Sequence, residues 1–431
     1  MNSSRLLAAV ALSAAGFAAI AGAAASGPSA KPKGKPAVGY RLQTLGHADP
    51  GGLSADVYGH RGHAYLSSFR TSSCGGEGVR IYNLGNPRTP RLVGTFADRN
   101  SDPAVAGADS QKTIVQSVQT PRFTGDLAVT GFQRCGRSGF QGFGLYDVSN
   151  PAQPKKLALV PTEPRGVHEV WLQRKGERAY VYVAIPSSEL LSSPDYDVES
   201  GTAKTPGRPD FRIYEVTDPS RPVEVGAWGA WASIGISPRD GRGISKVNLV
   251  HSVITNAAAT RAYLSYWDLG TVILDISEPT TPRYLGRTSF RGSEQGDAHS
   301  VALGNAGKLL IQTHESPRAS HPVLYDISNE RSPRRISEFR LPGTAPESGS
   351  SFLNGVHDAK VVGNRAIFSW YRHGVIVADI SKPAKPRLLA RFVPPNSPQP
   401  QVWGVHVEGD SILASDMDSG LWVLRLARRS A

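Results

Sequence analysis

The chain has 431 residues, a formal charge of +12 and two cysteines, enough length for one large repeat domain or two ordinary ones. Its basic residues are scattered rather than clustered and accompany no nucleic-acid motif, which argues against a nucleic-acid binder. A basic surface that is simply solvated, or one that meets anionic wall polymer or lipid headgroups, remains.

Residues 1–25 read as a secretory signal peptide. MNSSR supplies one positive charge, LLAAVALSAAGFAAIAGA an apolar run, and AGAAASG a choice of A-x-A cleavage sites. An uncleaved anchor helix is the alternative, but the run is Ala-rich and lacks a basic stop-transfer flank. Residues 26–39 follow as a flexible basic linker of Pro, Gly and Lys. No later segment is apolar for long enough to span a bilayer, so the mature chain is expected to be exported without a membrane span.

Residues 40–431 are expected to form one domain, because a single segment recurs along them. VRIYNLGNPRTPRLVGTF starts at Val79, FGLYDVSNPAQPKKLALV at Phe143 and FRIYEVTDPSRPVEVGAW at Phe211. VILDISEPTTPRYLGRTSF follows from Val272, VLYDISNERSPRRISEFRL from Val323 and VIVADISKPAKPRLLARFV from Val375. LWVLRLARR, from Leu421, is a truncated last copy. Each copy reads as a buried strand, a Pro-containing turn and a more polar outer strand. Two further apolar runs precede each copy, such as HSVITNA and RAYLSYW before Asp275. Four strands per repeat, seven times, predict an all-β fold: a seven-bladed β-propeller. The last copy lacks its outer strand, and YRLQTLGHA (Tyr40–Ala48) resembles one. The N-terminal strand is therefore expected to close the last blade, leaving no exposed edge.

The copies resemble the LVIVD repeat of bacterial exported propeller proteins, through the Asp or its substitute and the two prolines. The fifth copy departs from the pattern with Asn329-Glu330 in place of Asn-Pro. The resemblance implies a propeller outside the cytoplasm and little about chemistry. A more distant similarity, in architecture alone, is to the selenium-binding propellers, some of which oxidise a thiol at a copper site.

Histidine recurs at one place in the repeat. VHEVWL, VHSVIT, AHSVAL, VHDAKV and VHVEGD put His168, His251, His299, His357 and His406 at the starts of first strands. These starts lie at one end of a propeller channel, so the five imidazoles are expected to share one mouth. Gln116 aligns with them in the second repeat. His314, His373 and Asp416 fall on loops of the same face, and residues 186–209 form its longest loop, a candidate lid. Neutral imidazoles suit zinc, copper or iron, with Glu169, Asp297 or Asp358 as further ligands or partners. Against this, one structural histidine copied by duplication would give the same pattern. Cys74 and Cys135 fall on matching loops of consecutive repeats and are expected to form a disulfide.

No nucleophile motif with a suitable context is present. Two functions follow. The first is a secreted or envelope binding module, acting as a monomer on a ligand or envelope protein through the histidine face. The second is a metal-dependent oxidoreductase at the same face.

Overall fold

A computed structural model describes residues 39–428 apart from 70–76, 136–138, 243–245, 293, 295, 316–320, 343–351, 396 and 398. The expected signal peptide and nearly all of the linker lie outside the described residues, as does Cys74. The chain is all-β, built from antiparallel meanders. Four-stranded sheets span 169–228, 252–287, 298–338 and 358–392. An eight-stranded sheet joins the meanders 54–96 and 108–161 through one pair, Ser68 opposite Ser110. In the remaining sheet the strands of 402–428 are completed by Tyr40–Ala48, which runs from Tyr40 opposite Arg428 to Ala48 opposite Leu421. The expected N-terminal strand therefore does supply the missing outer edge.

The recurrent motif has local causes. Where a third strand ends in Asp, its carboxylate accepts the N–H of the residue two positions on, as Asp275 does from Ser277 at 2.9 Å and Asp379 from Ser381 at 2.9 Å. Its other oxygen meets the Arg that opens the outer strand: Arg283 at 2.8 Å, Arg334 at 2.9 Å, Arg387 at 3.3 Å. The carboxylate thus starts the turn and ties its far end.

Apolar cores lie between sheets. Val118, Leu127 and Leu145 pack against Val170, Val181 and Tyr214, and equivalent clusters follow from sheet to sheet. Val57, Leu66 and Tyr82 of the first meander pack against Leu413, Leu421 and Val423 of the last sheet. The series thereby returns on itself. First strands from every meander line one central cavity of about 70 Å³, which makes the arrangement a β-propeller with a channel. Among the described residues no helix is long and apolar enough to cross a membrane.

Candidate metal centre at one end of the channel

Strand pairing defines which residues share a level in the channel. Glu169, Ser252, Asp358 and Gly404 occupy the same register, opposite Ala184, Ser265, Ser369 and Ser415. The residue before each belongs to the mouth. That level contains Gln111, His168, His251, His299, His357 and Trp403. His168, His251, His299 and His357 are buried, and successive rings along this run lie 4.2, 3.9 and 4.4 Å apart between centroids. The Trp403 ring continues the arc, 4.2 Å from His357.

Two expected members lie elsewhere. His406 is three residues past Trp403, opposite Leu413 and further along strand Val402–Glu408. Its ring stacks on Tyr58 at 4.1 Å, and its Nδ1 accepts the Gly59 N–H at 3.0 Å. Gln116 pairs opposite Leu127, well along its strand, and a bulge between Asp109 and Lys112 brings Gln111 to the mouth instead. Gln111 Nε2 lies 3.0 Å from His168 Nδ1.

The ring nitrogens are ordered by their partners. His251 Nδ1 donates to the His299 carbonyl at 3.0 Å, and His299 Nδ1 donates to the His357 carbonyl at 2.6 Å. Each strand thus fixes its neighbour's tautomer and leaves Nε2 with a lone pair. His251 Nε2 faces His168 Nε2 at 2.7 Å. His168 has partners for either tautomer, Gln133 Oε1 at 2.8 Å as acceptor and Gln111 as donor to the same Nδ1. His299 Nε2 faces Glu315 Oε2 at 3.3 Å, while Tyr371 donates its hydroxyl to the other carboxylate oxygen. His251, His299 and Glu315 each offer one ligand atom within 4.8 Å of the others. Burial drives His251 and His357 well below the ordinary histidine range, and burial with the charges of His299 and Lys112 takes His168 down to about 3. These are neutral imidazoles, the form that binds metal.

Glu315 was not foreseen. It follows His314 at the end of strand Leu309–His314 and has no counterpart in the other repeats. His314 itself is buried and turned to Gln312, with Nε2 2.7 Å from its amide nitrogen. His373 lies beside Trp370 and Arg391. Asp416 braces a turn, accepting from the Gln401 N–H and from Ser419. Asp297 lies beside Asp268 on the loop wall, where its N–H meets that carboxylate at 3.2 Å. The loop read as a lid is pinned: buried Glu189 accepts the N–H groups of Trp231 and Ala232, both at 2.9 Å. Trp267, Asp297 and Tyr371, beside the arc, all hold positive φ, at 42°, 61° and 23°. Such strain gathers where the surroundings over-determine a site. Cys135 is buried, and the expected bridge to Cys74 lies outside the described residues.

One level deeper, Lys112 Nζ lies 2.8 Å from Asp56, 3.4 Å from Glu169 and 3.9 Å from Asp358. Lys360 also bonds Asp358. Glu169 and Asp358 therefore face the lysine level rather than the histidine nitrogens. Burial, only partly offset by Lys112, pushes Glu169 up to about 7.

No curated protein matches the chain. Among solved structures it is similar to the computationally designed Ika8 protein, at 9% identity and a TM-score of 0.49, over 89% of this chain and 99% of that one. The model of the LVIVD repeat matches residues 262–288, which run from the second strand through the Asp275 turn to the outer strand of one sheet. Residues 262–288 thus carry an LVIVD repeat.

Proposed function

We propose that this is an exported propeller of seven blades that binds a transition-metal ion at the mouth of its channel. The eight-stranded sheet counts as two blades, because one residue pair alone joins its halves. The signal-like N-terminus and a Cys74–Cys135 bridge would suit a secreted or envelope protein. His251, His299 and Glu315 are the ligands, with His168 beside them.

One observation carries the reading. The Nε2 of His299 and the Oε2 of Glu315 face each other at 3.3 Å, and the His299 Nδ1 proton is committed elsewhere. A lone pair turned on a carboxylate needs a cation between or beside them, a proton or a metal. Burial holds the neighbouring His251 and His168 neutral, and His251 Nε2 offers a further lone pair. Imidazole with carboxylate fits zinc, copper or iron. Ligand atoms around such an ion are about 3.3 Å apart, so a small closure of the group suffices. An oxidoreductase would be this same site with an added substrate.

The test is elemental analysis of protein purified through its secretory route without a histidine tag, beside a His251→Ala/His299→Ala variant. Near-stoichiometric metal that the variant loses supports the reading. Absence of metal as isolated and after titration with zinc, copper(II) and iron(II) would leave the arc as architecture.

A further inference from the structure

Arg212 presents a charge problem far from the histidine arc in chemistry. It lies in strand Phe211–Glu215, and its side chain is 0% exposed. Nε donates to the Pro209 carbonyl at 3.1 Å, and Nη2 donates to Ser188 Oγ at 2.7 Å and to the Glu163 carbonyl at 3.4 Å. All three acceptors are neutral. Nη1 is buried and makes no close hydrogen bond, although the Tyr214 hydroxyl acts on the guanidinium. Glu224, the carboxylate whose charge reaches this guanidinium, is already bonded by Arg208 at 2.8 Å and by the Tyr214 hydroxyl at 2.8 Å.

A guanidinium does not shed its proton, and an uncompensated buried charge is strongly destabilising. Two further orphans border the same residues. Ser187 Oγ and Thr162 Oγ1 are buried without partners, and each precedes a residue that holds the guanidinium, Ser188 and Glu163. Ser187 is also held at φ 61°, a backbone region that a serine rarely adopts. One cation, two unused N–H bonds and two hydroxyls with no acceptor are a donor set lacking an anion.

We propose that Arg212, Ser187 and Thr162 form a buried site for a small monovalent anion of the chloride class. A monatomic ion accepts from several directions at once and neutralises the charge in the space of a water molecule. It would clasp three segments: the strand of Arg212, the turn at 161–166 and the start of the long loop 186–210. The site stabilises that loop and owes nothing to the metal reading.

The experiment is a crystal of the full chain grown in bromide, with anomalous scattering, together with thermal unfolding in sodium chloride and in sodium gluconate at equal ionic strength. A bromide peak at Arg212 Nη1 is expected, and so is a saturable rise in Tm of about 3 °C in chloride over gluconate. Arg212→Met should abolish that difference. If it fails to fold, Thr162→Val keeps the charge and should weaken the halide dependence. No anomalous peak at Nη1, or equal Tm in the two salts, overturns the proposal.

Discussion

At the scale of single residues, Glu315 separates a metal site from a stack of structural histidines. Duplication explains histidines that recur at one strand position, but it does not explain a carboxylate that occurs once and points at one of them. Glu315 touches His299 through Oε2 and receives the Tyr371 hydroxyl at Oε1. Glu315→Gln keeps an oxygen for Tyr371 and removes the charge. Binding of zinc, followed by competition with a chromophoric chelator, should weaken by more than about 100-fold, while Tm without metal changes little. Equal affinity in the two proteins would remove Glu315 from the ligand set. His406 argues the other way. Its Nδ1 accepts the Gly59 N–H, and burial first, then the Lys360 charge, takes its pKa down to about 3. Between pH 3 and the ordinary value of about 6.5 the unfolded chain holds a proton there and the folded chain does not. Stability from this group is therefore present above the unfolded value and lost on acidification, by up to ~1.4 kcal/mol per pH unit. His406→Gln can still accept from Gly59 and does not titrate. The loss of unfolding free energy between pH 7 and pH 5, read from urea curves, should shrink by ~2 kcal/mol. A loss identical to that of the parent would mean that His406 takes up its proton in the folded state.

At the scale of elements, the repeat explains itself through contacts between sheets. The outer strand carries a small residue at one register position: Gly94, Ala158, Gly226, Gly286, Ser337, Ala390 and, on the closing strand, Gly46. The Pro-containing turn of the next sheet sits against it. A Cβ on Gly226 would lie 2.0 Å from the Pro279 carbonyl oxygen, and one on Gly94 equally close to that of Pro151. Ser337 meets the same need by donating to the Pro383 carbonyl. The glycine thus marks a close approach of two backbones. Since Ala stands at two of these positions, Gly226→Ala should be tolerated by a small shift of the turn. Gly226→Val should cost about 1–3 kcal/mol by forcing the turn outward, measured by urea unfolding. A Val variant as stable as the parent would show that the turn is not seated. The sequence made these strands and turns legible because their period is written in Asp, Pro and Arg. It hid the level at which two first strands enter the channel mouth. Gln111, five residues before Gln116, stands there in Ala108–Gln119, and Trp403 stands where His406 was expected. That level is set by strand pairing, so a pattern of matching letters cannot detect it. Glu315 was hidden for a different reason: it sits on an irregular loop, and a repeat alignment sees only what recurs.

At the scale of the whole molecule, the strand Tyr40–Ala48 is the structural bond between the chain ends. It contributes to the last sheet by pairing with Gly420–Arg428, and its Gly46 sits against the turn of the first meander, where a Cβ would lie 2.2 Å from the Pro87 carbonyl oxygen. Leu45 and Ala48 also pack on the cluster that joins the first meander to the last sheet. One short segment therefore completes two interfaces at once. A protein beginning at Asp49 would leave the Gly420–Arg428 edge unpaired and the Pro87 turn unseated. An open edge is both unstable and adhesive. The shortened chain should lose cooperativity and aggregate, with the far-UV strand signal largely kept, because the internal sheets retain their neighbours. A synthetic peptide of residues 40–48 should restore a single sharp transition by adding back as a strand. Recovery should fail with the peptide carrying Gly46→Leu, whose side chain meets the turn. Should the shortened chain unfold at the parent's Tm without peptide, closure by this strand would not be what holds the ring.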